Sequence, residues 1–541
     1  MVWWRTAWIC DDAYLMFRTI EVWFAGHGPN FNPGQRAWGA TSPLWFLLQS
    51  AGRLVYGDLY WVTLALSAIC IGLTLYAAWR FLGDSLEWTL LALLFIGSRA
   101  LLDYSSSGLE PPLSYALLTG FLAVYASLFQ AEPTERRVWL LWSIAGVLLL
   151  TRHDLVLLIG PALAWVFVRL RTVLPARRWG FAIGAAAAPL LVWTMFSLFY
   201  HGAAFPPAVY SKLRYATYGD RTEVLLQGLK NLQVIAYDPI SLVILAAGSV
   251  ACLRRGSPYA PLAIGALLYL GVFTYHGGDW MDARIFTPPL IVFLPLAAHT
   301  LRAVAGRYLL PAVVAGALLS ALWPDYPWVY QWPNNIVDHR RLMAGWNDFY
   351  RGAAVQYPQA QYRCPDWRRM READLVDPNA VLPVVAVTSA RFDPPFLADK
   401  YACGRFLRDT SFRIGGIDFE SLGLFAYFAG PQKTIVERML VDPLLTRLPP
   451  KYGGQYSHHT HMYFRPGHVW SDLPDGYVES LLSGENRIAD PAIARLYDDV
   501  RLATEAPLLA PGRFAAIWRL NTGYDYGTDR PWHAVWEAST R

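Results

Sequence analysis

Asp11-Asp12-Ala13-Tyr14-Leu15-Met16-Phe17-Arg18 decides the reading of this chain. The stretch follows a Trp-rich apolar start (Trp3, Trp4, Trp8, Ile9). It leads into a loop rich in Gly, Asn and Pro, from Gly26-His27-Gly28 to Thr41-Ser42-Pro43. Membrane-length apolar segments come after it. Two adjacent carboxylates at a membrane boundary are costly to desolvate, which makes a functional reading the default there. The bland alternative is a solvated helix start, where Asp is favoured by capping and by the helix dipole.

Working outward, the 541 residues are 55% hydrophobic and 15% aromatic but only 16% charged. A soluble protein carries roughly 25% charged residues. Mean hydropathy is +0.25. These values describe an α-helical polytopic membrane protein. The net charge of +5 is no sign of nucleic-acid binding, because the Arg residues fall in short loops, where they set topology. Apolar runs lie at roughly 59–80, 88–103, 111–130, 138–150, 154–170, 179–199, 240–253, 259–275, 284–301 and 307–323, about ten in all. The runs 138–150 and 154–170 are short and read as helices meeting at the polar break Thr151-Arg152-His153-Asp154.

Arg80, Arg136-Arg137, Arg171 with Arg177-Arg178, Arg254-Arg255 and Arg302 with Arg307 fall in alternate loops. The positive-inside rule puts them in the cytoplasm. Asp11-Asp12, Ser107-Gly108-Leu109-Glu110, the loop 203–238, Gly277-Gly278-Asp279 and everything after residue 323 then face outward. Only ten residues precede Asp11, and about 20 are needed to span. The expectation is therefore a truncated or misassigned first helix. A cleaved signal peptide is not expected, since a basic start and a small-residue cleavage site are missing. The segment 43–57 reads as an interfacial helix with Trp45 and Tyr56 at the headgroup level.

Two domains are expected: a membrane domain over 1–323 and an extracytoplasmic α/β domain over 324–541. In the second, Val384-Val385-Ala386-Val387-Thr388, Gly423-Leu424-Phe425-Ala426-Tyr427-Phe428 and Thr434-Ile435-Val436 read as strands between helical runs. Of five cysteines, Cys10, Cys70 and Cys252 lie in or beside apolar segments and read as buried thiols. Cys364 and Cys403 are the two in the outward tail, and a disulfide between them is expected.

The outward loops bring acids and cations to one membrane face. Asp11 and Asp12 can orient or deprotonate a hydroxyl. Glu110 precedes Pro111-Pro112, Asp279 and Arg284 flank another loop, and Lys212 with Arg214 lies behind Phe205-Pro206-Pro207. Carboxylates beside outward cations suit transfer from a lipid phosphate, where the cations bind the phosphate and stabilise it as it leaves. A glycosidase would instead need an opposed acid and base. Each residue also has a plainer role. Lys212 and Arg284 could anchor at the interface, Glu110 could cap a helix, and Asp279 could be a turn residue. His458, His459 and His461 form a His-His-x-His run without a nearby carboxylate, which reads as a polar loop. No metal or other cofactor is expected.

These residues resemble a known family. Asp11-Asp12-Ala13-Tyr14, Gly26-His27-Gly28, Phe31-Asn32-Pro33-Gly34 and Thr41-Ser42-Pro43-Leu44-Trp45 look like the first outer loop of lipid-linked GT-C glycosyltransferases. Within that class they are most similar to the actinobacterial enzymes that add terminal β-(1→2)-linked arabinofuranose to cell-wall arabinan. Ser106-Ser107-Gly108-Leu109-Glu110, Thr151-Arg152-His153-Asp154, Gly277-Gly278-Asp279, Asp442-Pro443-Leu444-Leu445 and Leu473-Pro474-Asp475-Gly476-Tyr477 fit the same set. The chain departs from it at His153, where Pro is expected, and at Pro111.

The resemblance implies a GT-C bundle and a polyprenyl-phosphate sugar donor, such as decaprenylphosphoryl-arabinose. It also implies a glycan acceptor, reaction at the outer face of the plasma membrane, and an essential carboxylate at Asp11 with Asp12 beside it. Arg18, Thr41, Glu110, His153, Lys212, Asp279 and Arg284 form the expected substrate-binding set. If the anomeric configuration inverts, Asp11 is a general base. If it is retained, as the family implies, Asp11 is a nucleophile or only orients substrates. The alternatives are a GT-C transferase of another sugar or onto a protein, and a lipid-linked sugar transporter or flippase. A transporter is expected to show inverted repeats with midplane sites, whereas the polar motifs here lie in outward loops.

Overall fold

The computed structural model describes residues 2–172, 174–218, 221–304, 309–322, 338–352, 384–387, 401, 403–405, 407–409, 413–417, 422–438, 440–449, 471 and 473–528. It divides into two compact units. The first comprises Met1–Ile9, Ser42–Trp193 and Thr222–Arg340; the second comprises Cys10–Thr41, Thr194–Arg221 and Arg341–Arg541. The single cut expected at 323/324 is therefore not how the chain groups: the segments 10–41 and 194–221 belong with the tail.

The described residues of the first unit are helical. Leu59–Leu82, Pro111–Gln130, His153–Leu170, Ala176–Tyr200 and Arg284–Ala303 are long and apolar enough to cross a membrane. Val224–Tyr237 and Pro239–Leu253, bent by 99°, make a sixth span if taken together. Among the described residues this is five or six spans rather than about ten. Part of the difference is helices shorter than a span, such as Glu135–Thr151 and Ala260–Tyr275, and part is single polar residues inside apolar runs. Ser98 accepts from Leu101 N and separates Ser85–Gly97 from Arg99–Tyr104, so the run 88–103 is not one helix. Asp238 accepts from Ser241 N and Ala100 N, and Pro239 follows it, which turns the chain. The two breaks meet, with Ser98 Oγ 2.7 Å from Ser241 Oγ.

Helices of this unit approach closely where Gly removes a side chain. A Cβ on Gly265 would lie 1.9 Å from Leu158 O, so Ala260–Tyr275 packs backbone to backbone against Val156–Leu170. The core between the helices is apolar, with Leu91, Leu94, Phe121, Leu122, Leu148, Leu158 and Leu290 fully buried. Trp45 corrects one expectation. It is fully buried, and its indole N–H donates to Gly108 O at 2.9 Å. Gln49, one turn later, donates to Thr63 Oγ1 at 2.8 Å. Pro43–Val55 is thus tied to the Ser106-Ser107-Gly108 loop at this end, while Tyr56 is exposed.

In the second unit, β1 (Val384–Val387), β2 (Ile414–Ile417) and β3 (Thr434–Glu437) form a parallel sheet in that order. Val384 pairs with Ile414, and Ile414 with Thr434. The run 423–428, expected as a strand, lies in a helix, Leu422–Phe428. A short apolar run has no period long enough to separate the two states, and what starts this helix is Asp11, described below. Helices Tyr477–Ser483, Pro491–Thr504 and Arg513–Asn521 complete the described tail. Leu444, Leu445, Tyr477, Leu496, Tyr497 and Val500 pack together beneath them. Asp442 and Tyr477, from the two tail motifs, meet in that core. Tyr477 OH donates to Asp442 Oδ2 at 2.6 Å, and Leu444 N and Leu445 N donate to Oδ1. Cys403 is buried and disulfide-bonded. Its expected partner Cys364 lies outside the described residues, as do His458, His459 and His461.

Candidate active site

In the second unit, helix Asp11–Val22 carries the motif residues. Asp11 is 2% exposed. Its Oδ2 accepts from Gly423 N and its Oδ1 from Leu424 N, both at 2.9 Å. The carboxylate therefore caps helix Leu422–Phe428 from more than 400 positions away. Gly423 has to be Gly, since a Cβ there would lie 1.9 Å from Asp11 O. Asp12 is half-buried in the same first turn. Tyr14 lies in an aromatic cluster with Phe17, Trp346, Tyr427 and Phe428, and its OH accepts from Trp346 Nε1 at 2.9 Å.

Arg18, expected to bind substrate, instead binds backbone. It donates from Nε to Phe31 O, from Nη1 to Ala426 O and Gly430 O, and from Nη2 to Lys433 O and Asn32 Oδ1. Burial pushes its pKa down to about 9, and the ring of Phe31 lies 5.0 Å from the guanidinium. With all three nitrogens engaged, Arg18 is a structural clamp, and the substrate set loses it. Thr41 is exposed at the end of the loop, and Lys212 is exposed on helix Pro207–Tyr218.

The first unit holds the other group. Arg152 stands at the helix break in extended conformation (φ −148°, ψ 115°). It forms a two-pronged pair with Asp154, Nε to Oδ1 at 3.1 Å and Nη2 to Oδ2 at 2.6 Å. Its Nη1 reaches Glu110 Oε1 at 3.3 Å, and its Nη2 reaches Tyr269 OH at 3.2 Å. Arg284 Nε donates to Asp279 Oδ2 at 2.5 Å, and Asn231 Nδ2 holds Asp279 O at 2.6 Å. Arg284 and Arg152 are near enough to repel each other, and Glu110 attracts both. Of the expected residues, Glu110, Asp279 and Arg284 are thus brought together. His153 is half-buried on the turn His153–Leu155 beside Arg152.

The two cations differ in one respect. Arg152 uses all three nitrogens on protein partners. Arg284 bonds only through Nε, so its terminal pair Nη1 and Nη2 makes no hydrogen bond among the described residues. A guanidinium fork held on one side and open on the other is suited to receive an anion bidentately.

Arg152 and Asp154, quoted from the sequence only as part of a polar break and motif, join this group, as do Tyr269, Tyr104 and Asp282, which the sequence did not single out. Tyr104 OH donates to Asp282 Oδ1 at 3.1 Å. Burial pushes the Asp282 carboxyl well above its usual range, and neighbouring Asp338 and Asp103 add to the shift. Burial likewise raises Asp103 to about 6, with Arg340 and Arg99 pulling the other way. Between Asp282 and Arg284, Ala283 has φ 50° in the left-handed region. A non-Gly residue there stores strain of about 1–3 kcal/mol, which concentrates at functional sites. The available sequence signal was Asp279-x-x-Asp282-x-Arg284, an acid-acid-cation spacing in an otherwise apolar neighbourhood.

No family model matches the chain. It is 26% identical over 335 residues to the Mycobacterium tuberculosis protein named terminal beta-(1->2)-arabinofuranosyltransferase, covering 54% of this chain. The chain spans about half the length of that relative, 52%. Among solved structures, ArnT from Cupriavidus metallidurans bound to undecaprenyl phosphate is similar at a TM-score of 0.48 and 13% identity, over 80% of this chain and 83% of that one. The same protein in the apo state has a TM-score of 0.47 and 12% identity, over 81% and 83%. The resemblance carried by the first-loop motifs is thus found again by direct comparison, and the chain is a distant relative of a terminal beta-(1->2)-arabinofuranosyltransferase.

Proposed function

We propose that this chain is an integral-membrane glycosyltransferase of the GT-C type. It moves D-arabinofuranose from a polyprenyl phosphate, of the decaprenylphosphoryl-arabinose kind, to a glycan outside the cytoplasm. The likeness to the mycobacterial arabinofuranosyltransferase carries this reading. The open fork of Arg284 supports it, since a phosphate ester presents two oxygens at the spacing a guanidinium fork accepts. In this reading Arg284 binds the donor phosphate and steadies its charge as the sugar departs. Asp154 and Glu110 fix the plane of Arg152 and are offset by its charge, so they set less negative charge against the donor. Burial shifts the Asp282 carboxyl toward its neutral form, which weakens its charge against the phosphate. Asp11 acts on the sugar or the acceptor hydroxyl, with Asp12 assisting.

The test uses purified protein with labelled decaprenylphosphoryl-arabinose and a synthetic arabinan acceptor. The expected product carries a new terminal β-(1→2) residue. Transfer from a different lipid-linked sugar alone would remove the arabinosyl assignment. Movement of the intact lipid-linked sugar across proteoliposomes without transfer would remove the enzyme assignment.

A further inference from the structure

Between Glu505 and Arg519 the chain carries one charged side chain, Arg513. The second unit buries that charge and exposes the apolar side chains around it. Arg513 is fully buried and donates from Nε to Ala503 O at 3.0 Å, from Nη1 to Leu508 O at 3.1 Å and from Nη2 to Tyr200 O at 3.1 Å. Leu509 is 77% exposed, Phe514 53% and Trp518 71%. Phe514 and Trp518 stand four positions apart on helix Arg513–Asn521 and so share a face, while Ala516, Ile517 and Leu520 pack inward. Single exposed apolar residues are ordinary, but a group of them in a stretch that turns its only charge inward marks an interaction surface.

The place of this helix says what covers it. Arg513 is bonded to the carbonyl of Tyr200, the last residue of the span Ala176–Tyr200. At the other end of the helix, Asn521 Nδ2 donates to Gly202 O at 2.9 Å, two residues beyond the span. Both ends of Arg513–Asn521 are therefore tied to the point where the chain leaves the membrane. Of the five spans, Ala176–Tyr200 is the most exposed, and apolar side chains exposed on a spanning helix meet lipid. Met195 and Phe199, four positions apart near its end, are both exposed. The ring of Phe514 stacks on that of Phe199, with centroids 6.4 Å apart and planes at 29°. The lipid-facing surface of the span thus continues onto Phe514 and, along the same helix face, to Trp518.

The side-chain chemistry fits that position. An indole has an apolar body and one polar N–H, which suits the level of the lipid headgroups. Leu509 and Phe514 carry no polar atom and suit the acyl boundary just below it. A helix that buries one face in protein and keeps an apolar face outward at this level lies along the membrane surface.

We infer that the surface formed by Leu509, Phe514 and Trp518 is a membrane-docking face, seated in the phospholipid leaflet at which Ala176–Tyr200 ends. It holds the second unit, which carries Asp11, against the bilayer. The inference rests on Ala176–Tyr200 spanning a membrane and is independent of the glycosyltransferase reading. The test uses the full-length protein in phosphatidylcholine nanodiscs, one copy per disc. A nitroxide is attached through Leu509→Cys, Phe514→Cys or Trp518→Cys, and through Glu485→Cys at an exposed charged position of the same unit. The parent protein treated with the same reagent gives the background. Oxygen concentrates in lipid and a nickel chelate stays in water. The labels at 509, 514 and 518 should collide more with oxygen, and the label at 485 more with nickel. Adding Phe514→Asp and Trp518→Asp should hand the 509 label to water.

The unaltered protein supplies a second measurement that no misfolded variant can spoil. A phospholipid with a diazirine on its acyl chain should leave adducts on residues 506–518 after illumination. Nickel-dominated collisions at all three positions, with no adducts on that stretch, would show a face in water and overturn the docking. A 509 label that stays in lipid after both aspartate substitutions would overturn the part given to Phe514 and Trp518. Labels shielded from both reagents, with dipolar broadening that grows when two copies share a disc, would assign the face to a second copy of the chain and overturn the lipid assignment.

Discussion

A side chain's neighbours separate residues that look equivalent in the sequence. Asp11 and Arg18 share one helix and one motif, yet Arg18 commits all three nitrogens to holding backbone, while the Asp11 carboxylate caps a helix from the far end of the chain. Asp11→Asn swaps one capping oxygen for an amide that faces a backbone N–H, so a stability loss of about 1–3 kcal/mol is expected beside the catalytic loss. Turnover per folded molecule should fall by about 100- to 10,000-fold. Normal turnover of the folded fraction, measured with the melting curve in parallel, would leave Asp11 a helix cap and nothing more. Arg284→Gln should weaken donor binding by roughly tenfold to a hundredfold, the value of a charge-assisted contact of about 1.5–3 kcal/mol. Lys212→Gln should cost at most about 1 kcal/mol, because an exposed charge is screened. Equal effects in a donor titration would contradict this order. Asp442 supplies a pH dependence. Burial raises it from 3.8 to about 6 against the pull of Leu445, Tyr477 and Leu444. Between those values the folded state holds a proton that the unfolded state has lost. Stability is therefore highest below about pH 4, declines as pH rises to about 6 and is level above that, by up to about 3 kcal/mol. Asp103 contributes a slope of the same sign over the same window. Asp442→Asn should then show a shallower slope of melting temperature between about pH 4 and pH 7, and an unchanged slope would exclude the assignment.

Helices and their breaks were partly legible. The long spans 59–80 and 111–130 are evident from hydropathy, and so is the polar break at Thr151-Arg152-His153-Asp154, because both are local patterns. The bend at Asp238, the burial of Trp45 and the helical state of 423–428 were not, because each depends on a partner far along the chain: Ala100, Gly108 and Asp11. The candidate site was legible as residue types but not as a set. Glu110, Asp279 and Arg284 were visible as outward polar residues, whereas Arg152 and Tyr269 meet only because two helices pack at Gly265. That packing is testable. Gly265 stands one turn before Tyr269, and its contact Leu158 one turn after Asp154, so the interhelix distance sets the bonds that orient Arg152. Gly265→Ala has to push two backbones apart, since the obstacle is a carbonyl rather than a flexible side chain. The expected result is a melting temperature lower by several degrees, consistent with overpacking costs of about 1–3 kcal/mol. Activity should fall further than the folded fraction does. An unaffected variant would show that the approach of these helices does not position the site.

At the scale of the molecule, composition and length suggest a tail that is a domain in its own right, and the contacts within the second unit say otherwise. Its backbone acceptors are satisfied by residues from the start of the chain. Arg18 holds Ala426 O, Gly430 O and Lys433 O. Asn32 pairs with β3 as a neighbouring strand would, donating to Ile435 O and accepting from Ile435 N, both at 2.9 Å. Arg36 holds Ala503 O and Ala506 O, and its backbone N–H donates to Thr504 O. From the segment 194–221, Tyr200 O receives Arg513, and Gly202 O receives Asn521. No composition window can register such pairings, because the two partners lie 300 to 470 positions apart. Removing the early segments would leave several buried carbonyls unpaired at about 1–3 kcal/mol each. That sum is comparable to the net stability of an ordinary domain, about 5–15 kcal/mol. Residues 341–541 expressed alone should therefore show no cooperative thermal transition and no slow amide exchange in β3 or in helix Pro491–Thr504. The full chain should show both. A sharp, reversible transition in the isolated tail would mean that its sheet and helices hold together without Arg18, Asn32 and Arg36, and that these three serve the site rather than the fold.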